Sequence, residues 1–314
     1  VLNAPAQGIQ LAFKPLDDRM RDTSAHRDHL DALLRHHGAP PAPADVPHYY
    51  AEAGPLKLKW ERHTEFVSYT LLLDGATDQP FAAPMEQLAP TEWLKSAPGS
   101  LLSAIRLHIE KVESNEEGVG RFLGNFQHHF VAESLAGSLV GEGQALAVGD
   151  FRIDDEGFTR FAIFAGPDAG QRRLGRIVQR LIEIENYRLL SMLALPVARQ
   201  INARLNDIEG EMSTLIAGIA GEGSNDRETL AQLTSLSADI EAIAAETAFR
   251  FAASRAYAAL VDQRIEMLLE TRAANRQTFA EFMARRFDPA MRTCAAAEKR
   301  LVDLEDRAAR AAGD

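Results

Sequence analysis

The chain has 314 residues, 46% of them hydrophobic and 25% charged, with a formal net charge of −11. That composition builds one large or two ordinary folded domains and excludes a disordered chain. Its one cysteine, Cys294, excludes an internal disulfide and a cysteine-rich zinc site, and fits a reducing compartment.

The first half reads as mixed α and β. Gly8–Phe13 has strand character, and a helix is expected over Asp18–His37, with Leu30, Leu33 and Leu34 apolar. Gly38 ends it, and Pro40, Pro41 and Pro43 prevent its resumption. Leu56–His63 alternates apolar and charged residues, as in a half-buried strand. Glu65–Leu73 gives a second strand closed by Asp74 and Gly75, and Leu101–Val112 a third. Val148–Phe164 reads as a hairpin turning on Asp154–Gly157. Short connections between these strands predict a largely antiparallel sheet with helices on one side.

The pattern changes near residue 170. Residues 171–314 are expected to be helical, in segments of about 171–195, 197–220, 226–275 and 277–310, following an acidic head of residues 1–168. Ile201, Leu205, Ile208, Met212, Leu215 and Ile219 form a heptad seam. Leu233, Ile240, Thr247, Ser254, Val261 and Leu268 recur at intervals of seven. Without an internal proline or glycine, the third helix reads as about 50 residues, or about 75 Å. The class expected is α+β: an N-terminal, mostly antiparallel sheet with helices, then a long antiparallel helical hairpin or coiled-coil stalk. The seam is rich in small residues and buries little area per turn, so self-association or docking on the head is expected.

Charge is shared unevenly. Residues 1–170 carry 14 Lys and Arg against 24 Asp and Glu, and residues 171–314 carry 20 against 21. This balance argues against a nucleic-acid partner. No apolar run reaches the ~20 residues that cross a bilayer. Phosphate loops, dinucleotide fingerprints, nucleophile elbows and His-Glu-x-x-His motifs are missing, and no cofactor is expected.

Three constellations remain as candidate sites. Asp22, His26 and His29 share one helix face, a spacing that suits metal ligands and equally a solvated polar face. Lys57, Lys59, Arg62, His63 and Glu65 make the densest charged strand, on which His63 and Glu65 point the same way and would form an acid–base pair. Arg172, Arg173, Arg176 and Arg180 form a cationic stripe at a helix N-terminus, where cations oppose the dipole, so an anionic counterpart is expected: a carboxylate, phosphate or lipid headgroup. The carboxylates of Asp154, Asp155 and Glu156 read as turn residues, and Phe279, Phe282, Met283 and Phe287 as packing.

Four segments carry a resemblance: Lys57–Phe66, Gly149–Ile153, Arg172–Arg180, and Gln277–Met283 with Arg285–Pro289. Together they resemble, over nearly the whole chain, a proteobacterial family of uncharacterised proteins held at a membrane. The resemblance implies further helix and a C-terminal apolar hairpin entering the membrane beyond the present end, and it transfers no catalytic residue. The plan of α/β head and helical stalk is also similar to CorA-type magnesium channels, whose Gly-Met-Asn pore motif would lie in that tail. The leading expectation is a self-associating scaffold or sensor on the cytoplasmic side of the bacterial inner membrane, with a possible protein partner. The alternatives are a divalent-cation transport domain, and an enzyme with its site on the Lys57–Glu65 strand.

Overall fold

A computed structural model describes residues 1–15, 23–76, 79–219, 226–273 and 275–313. The chain divides into two compact units, Val1–Asn186 with Val261–Phe282, and Tyr187–Leu260 with Met283–Asp314. The boundary expected after residue 168 falls inside the first of them.

The strands of the first unit are β1 (Ala6–Lys14), β2 (His48–Ala53), β3 (Leu56–Arg62), β4 (Val67–Asp74), β5 (Ser100–Lys111), β6 (Ala136–Val140), β7 (Ala145–Gly149), β8 (Thr159–Ala165) and β9 (Thr271–Arg272). They make one sheet in the order β2-β3-β4-β1-β5-β8-β7-β6-β9. The fold is α+β, and the sheet is mixed: neighbours are antiparallel except β5 and β8, which run parallel. The parallel pair arises because the chain leaves β5 through helical turns, lays down β6 and β7, and returns in β8.

Register and alternation define the two faces. Leu58 pairs with Leu71, Leu71 with Ile9, and Ile9 with Arg106, so these share a face. Helix α1 (Thr23–His36) sets Leu30, Leu33 and Leu34 into the cluster of Ile9, Leu11, Leu58, Trp60 and Tyr69. Its expected start at Asp18–Asp22 lies outside the described residues. Short helices α2 (Met85–Leu88) and α3 (Thr91–Lys95) add Leu88 and Trp93 to the same cluster. The opposite face carries Phe161, whose ring meets Phe279 of helix α8 (Phe279–Arg286) at 6.5 Å. Helices therefore cover both faces, not one.

Close approach governs Gly8, the third residue of β1, where a Cβ would lie 2.0 Å from the Leu71 carbonyl oxygen. Gly8→Ala is expected to cost about 2 kcal/mol, read as a lower urea midpoint at unchanged slope.

Helices α5 (Gln171–Met192) and α6 (Ala194–Ile219) break at Leu193, short of Pro196. Pro196 lies in the first turn of α6, where its missing N–H costs nothing. Helix α7 (Asp226–Met267) spans 42 residues rather than about 50, and α9 (Asp288–Gly313) follows α8. In the second unit α7 runs antiparallel to the end of α5 and to α6: Ser254 donates to the Ser191 carbonyl of α5, and Arg204 of α6 pairs with Glu246. The expected antiparallel pairing of these two helices is joined by a third helix, α9. Cys294, Ala297, Leu301, Leu304 and Ala308 of α9 join Ile201, Leu205, Met212, Ile240 and Phe251 in one core. Arg300 of α9 clamps Glu209 and Asn206 of α6. Burial pushes the Cys294 thiol up, so it stays protonated as a packing residue.

Candidate functional site

On the α1 face of the sheet, two apolar clusters leave a polar seam between them. One is the α1 cluster. The other gathers Phe81, Val112, Phe122, Phe126, Phe130, Leu146, Val148 and Phe164. Helix α4 (Asn115–Arg121) supplies part of it and continues into a π turn (Phe122–Phe126) and a 3-10 turn (Gln127–His129). Turns of the π type are rare and concentrate at functional positions.

The seam is built by strand period. Arg106, His108 and Glu110 alternate along β5 toward this face, and Arg160 on β8 is the register partner of Arg106. Two guanidinium groups side by side on adjacent strands repel, and each is drawn to its own carboxylate. Arg106 pairs with Glu156, and Arg160 with Asp154 at 2.6 Å. Asp154 Oδ1 also accepts from the Glu156 and Phe158 amides, which fixes the turn. The Arg106 guanidinium lies over the Phe158 ring at 4.4 Å.

His108 is the floor of the seam, 2% exposed. Its Nε2 lies 3.2 Å from Glu110 Oε1, and Arg121 of α4 holds the other Glu110 oxygen at 3.1 Å. Nε2 therefore carries the proton and donates. Burial outweighs this bond and holds the imidazole below its ordinary range, so it is neutral at pH 7. In that state Nδ1 is a bare lone pair, and it has no partner among the described residues. The Nε atoms of Arg106 and Arg160 are likewise buried without an acceptor among those residues.

Phe81 joins these groups. Its ring lies 5.8 Å from His108, 5.5 Å from His129 and 6.0 Å from the Arg160 guanidinium. Its backbone is left-handed, φ 61°, a conformation costly for an aromatic residue and concentrated at functional sites. Arg160 donates to the His129 carbonyl at 3.1 Å. Burial, with His128 and Arg160 nearby, lowers the His129 pKa as well.

The sequence-derived candidates lie elsewhere. Asp22 is outside the described residues. His26 is buried, and His29 uses both ring nitrogens, on the Tyr69 hydroxyl at 2.7 Å and the Trp93 carbonyl at 3.0 Å. Among the described residues no group of three or more His, Cys, Asp or Glu is placed to hold a metal. His63 and Glu65 are not on a strand: residues 63–66 form the turn joining β3 to β4, closed by the His63 amide on the Phe66 carbonyl. Within it His63 stacks on Phe66 at 4.0 Å, and Glu65 is buried. Lys57 is tied to Asp74 and Lys59 to Glu61. Arg62 instead lines a cleft of roughly 190 Å3 with Ser24, Arg27, Asp45 and Trp60.

The arginine stripe has two engaged members. Arg173 reaches Glu142 at 3.4 Å, and Arg180 donates to the Met267 carbonyl at the C-terminus of α7. The anionic counterpart expected for a cation on the α5 N-terminus is thus partly the negative end of another helix. Arg172 and Arg176 are exposed.

A family described as "Protein of unknown function (DUF3422)" matches residues 1–313 by its sequence profile. The chain belongs to that family. No curated protein and no solved structure matches it. Among the described residues of this DUF3422 chain, no helix is long and apolar enough to cross a membrane. Composition could not single out the seam, because its histidines, arginines and carboxylates are scattered over residues 106–160. The one available signal was the alternation Arg106-x-His108-x-Glu110, which places three polar side chains on one face of a strand.

Proposed function

We propose that this chain is a sensor: a binding module whose ligand site is the seam between the two apolar clusters of the first unit. The observation that carries this reading is the set of buried nitrogens without partners among the described residues: His108 Nδ1, Arg106 Nε and Arg160 Nε. An unmatched buried polar atom costs about 1–3 kcal/mol, so a ligand supplying the missing bonds is favoured by that amount for each. The seam's carboxylates are held by arginines or backbone amides. A thermal-shift screen with charged and neutral polar metabolites tests the reading. At least one class is expected to raise Tm in the wild type and not in His108→Gln. A panel that leaves the wild type unmoved sinks it.

A second observation favours the scaffold half of the expectation. Phe249 on α7 is 65% exposed, with the Arg250 guanidinium 5.3 Å from its ring centre. The heptad residues of α7, by contrast, are buried within the chain, so association between copies would use outer positions such as Phe249. In this reading Phe249→Asp lowers the molar mass measured by light scattering after size-exclusion chromatography, and a wild type that is already monomeric removes it.

A further inference from the structure

We propose that the seam binds a small oxyanion of the phosphate type together with one proton, using Arg160, His108 and His129. This names the ligand class for the sensor reading and rests on it. The three groups surround one phenylalanine, Phe81, within 6.0 Å of its ring centre. Arg160 spends one NH2 group on Asp154 and another nitrogen on the His129 carbonyl, leaving its buried Nε–H without an acceptor among the described residues. A guanidinium edge of this kind matches an oxyanion. His108 lies against the same Phe81 ring and has on Nδ1 a lone pair instead of a proton.

A bare lone pair repels a fully ionised oxyanion. The pair becomes complementary when one proton is shared between them, on the oxyanion as a hydroxyl donating to Nδ1 or on the ring as an imidazolium. The bond count is the same either way: one proton enters with the anion and sits between Nδ1 and an anion oxygen. Glu110, bonded to Nε2, supports the protonated state, and Arg121 of α4, itself held by Glu117, fixes Glu110. The other charged neighbours are Arg106, paired with Glu156, and Arg160, paired with Asp154, while His128 and His129 approach from the 3-10 turn. Arg160 and His129 are half-buried, so solvent reaches part of each of them. Phe81, in its left-handed conformation, packs between these groups and has to shift to admit the anion.

The test is calorimetric titration of the whole chain with inorganic phosphate and with sulfate, in two buffers of different ionisation heat. At about pH 7.5 the free imidazole is neutral and phosphate is mainly the monohydrogen form, whose own hydroxyl supplies the shared proton with less than one taken up from buffer. Sulfate carries no proton in this range, so it is expected either to take up close to one proton, onto His108, or to bind at least about tenfold more weakly than phosphate. Both support the proposal. Arg160→Gln is expected to weaken binding at least about tenfold. His129→Gln, at a half-exposed position that the fold tolerates, is expected to weaken it less, and Arg172→Gln on α5 not at all. His108→Gln is expected to remove the proton uptake with sulfate or the preference for phosphate; where that variant fails to fold, the comparison of the two anions on the wild type still decides. Sulfate binding as tightly as phosphate without proton uptake, or binding indifferent to Arg160→Gln, overturns the proposal. So does no heat up to roughly 20 mM of either anion, far above any sensing affinity. If oxyanions fail while a neutral ligand stabilises the wild type and not His108→Gln, the ligand class is wrong and the sensor reading stands. If nothing binds, both fall.

Discussion

His29→Ala is expected to destabilise the chain by about 4 kcal/mol, the sum of a cavity and two orphaned polar groups. The His29 ring stacks on Trp93 at 4.2 Å and packs edge-on against Phe13 and Tyr69. The Trp93 carbonyl only accepts, so His29 Nε2 carries the proton and donates to it, while Nδ1 accepts from the Tyr69 hydroxyl. The Trp93 indole N–H returns to the His29 carbonyl at 2.9 Å, which closes the bond between α1 and α3. Both nitrogens are therefore matched to a neutral ring. Burial lowers the His29 pKa to about 4.

That shift has a defined pH signature. The unfolded chain takes up the proton first as pH falls, so the stabilisation is complete above about pH 6.5 and is lost progressively toward pH 4. The loss amounts to roughly 3 kcal/mol. Urea unfolding at pH values across that window measures it, with His29→Gln as reference because other groups titrate there too. The wild type is expected to lose more stability than the variant. Parallel curves would show that His29 is not the source.

Glu270→Ala is expected to cost about 3 kcal/mol and to loosen one edge of the sheet. Glu270 accepts from the Ser138 hydroxyl at 2.6 Å, and from the Phe279 and Ala280 amides at 3.0 and 2.8 Å. It thus caps the N-terminus of α8 while tying the segment after α7 to β6. Beside it, Ser138 pairs with Arg272 and Leu139 with Thr271 in register, and the Gln277 carbonyl accepts from Gly137. Without the carboxylate, two helix amides and a hydroxyl lose their acceptor together. Hydrogen exchange should show faster exchange at Phe279, Ala280 and Gly137, with the β1–β4 amides unchanged. Exchange rising equally across the whole sheet would mean that Glu270 supports the fold as a whole.

How much of this was legible follows from the range of the forces concerned. Local periodicity marked β1, β3, β4, β5, α1 and both helical seams, because alternation and heptads record which side of an element is buried. The heptad residues Leu233, Ile240, Thr247, Ser254, Val261 and Leu268 are all buried, as their spacing required. Glycine and proline signals placed the end of α1. β6 was not read and β7 only at its end: Ala-Gly-Ser-Leu-Val and Ala-Leu-Ala-Val-Gly lie in a continuously apolar stretch where no alternation appears. The three carboxylates at 154–156 were read as turn residues, and Asp154 does shape the turn. Their second role, neutralising Arg106 and Arg160, depends on a parallel pairing of β5 with β8 that no local pattern encodes.

The sequence by itself determined the α+β class, most of the elements, the apolar stripe of each long helix and the family. Tertiary structure alone decided where α7 stops and where the polar groups meet. No glycine or proline ends α7 at Met267. Its last carbonyls are taken by Arg180 and by the Gly141 amide from elsewhere in the chain, Leu269 turns left-handed at φ 49°, and Thr271 and Arg272 become strand β9. The same holds for the seam, since charge pairing and burial act between residues up to fifty positions apart. Side-chain period is a local property and can be read in line, whereas a hydrogen bond or ion pair is settled only when the packed backbone brings its partners within about 3 Å.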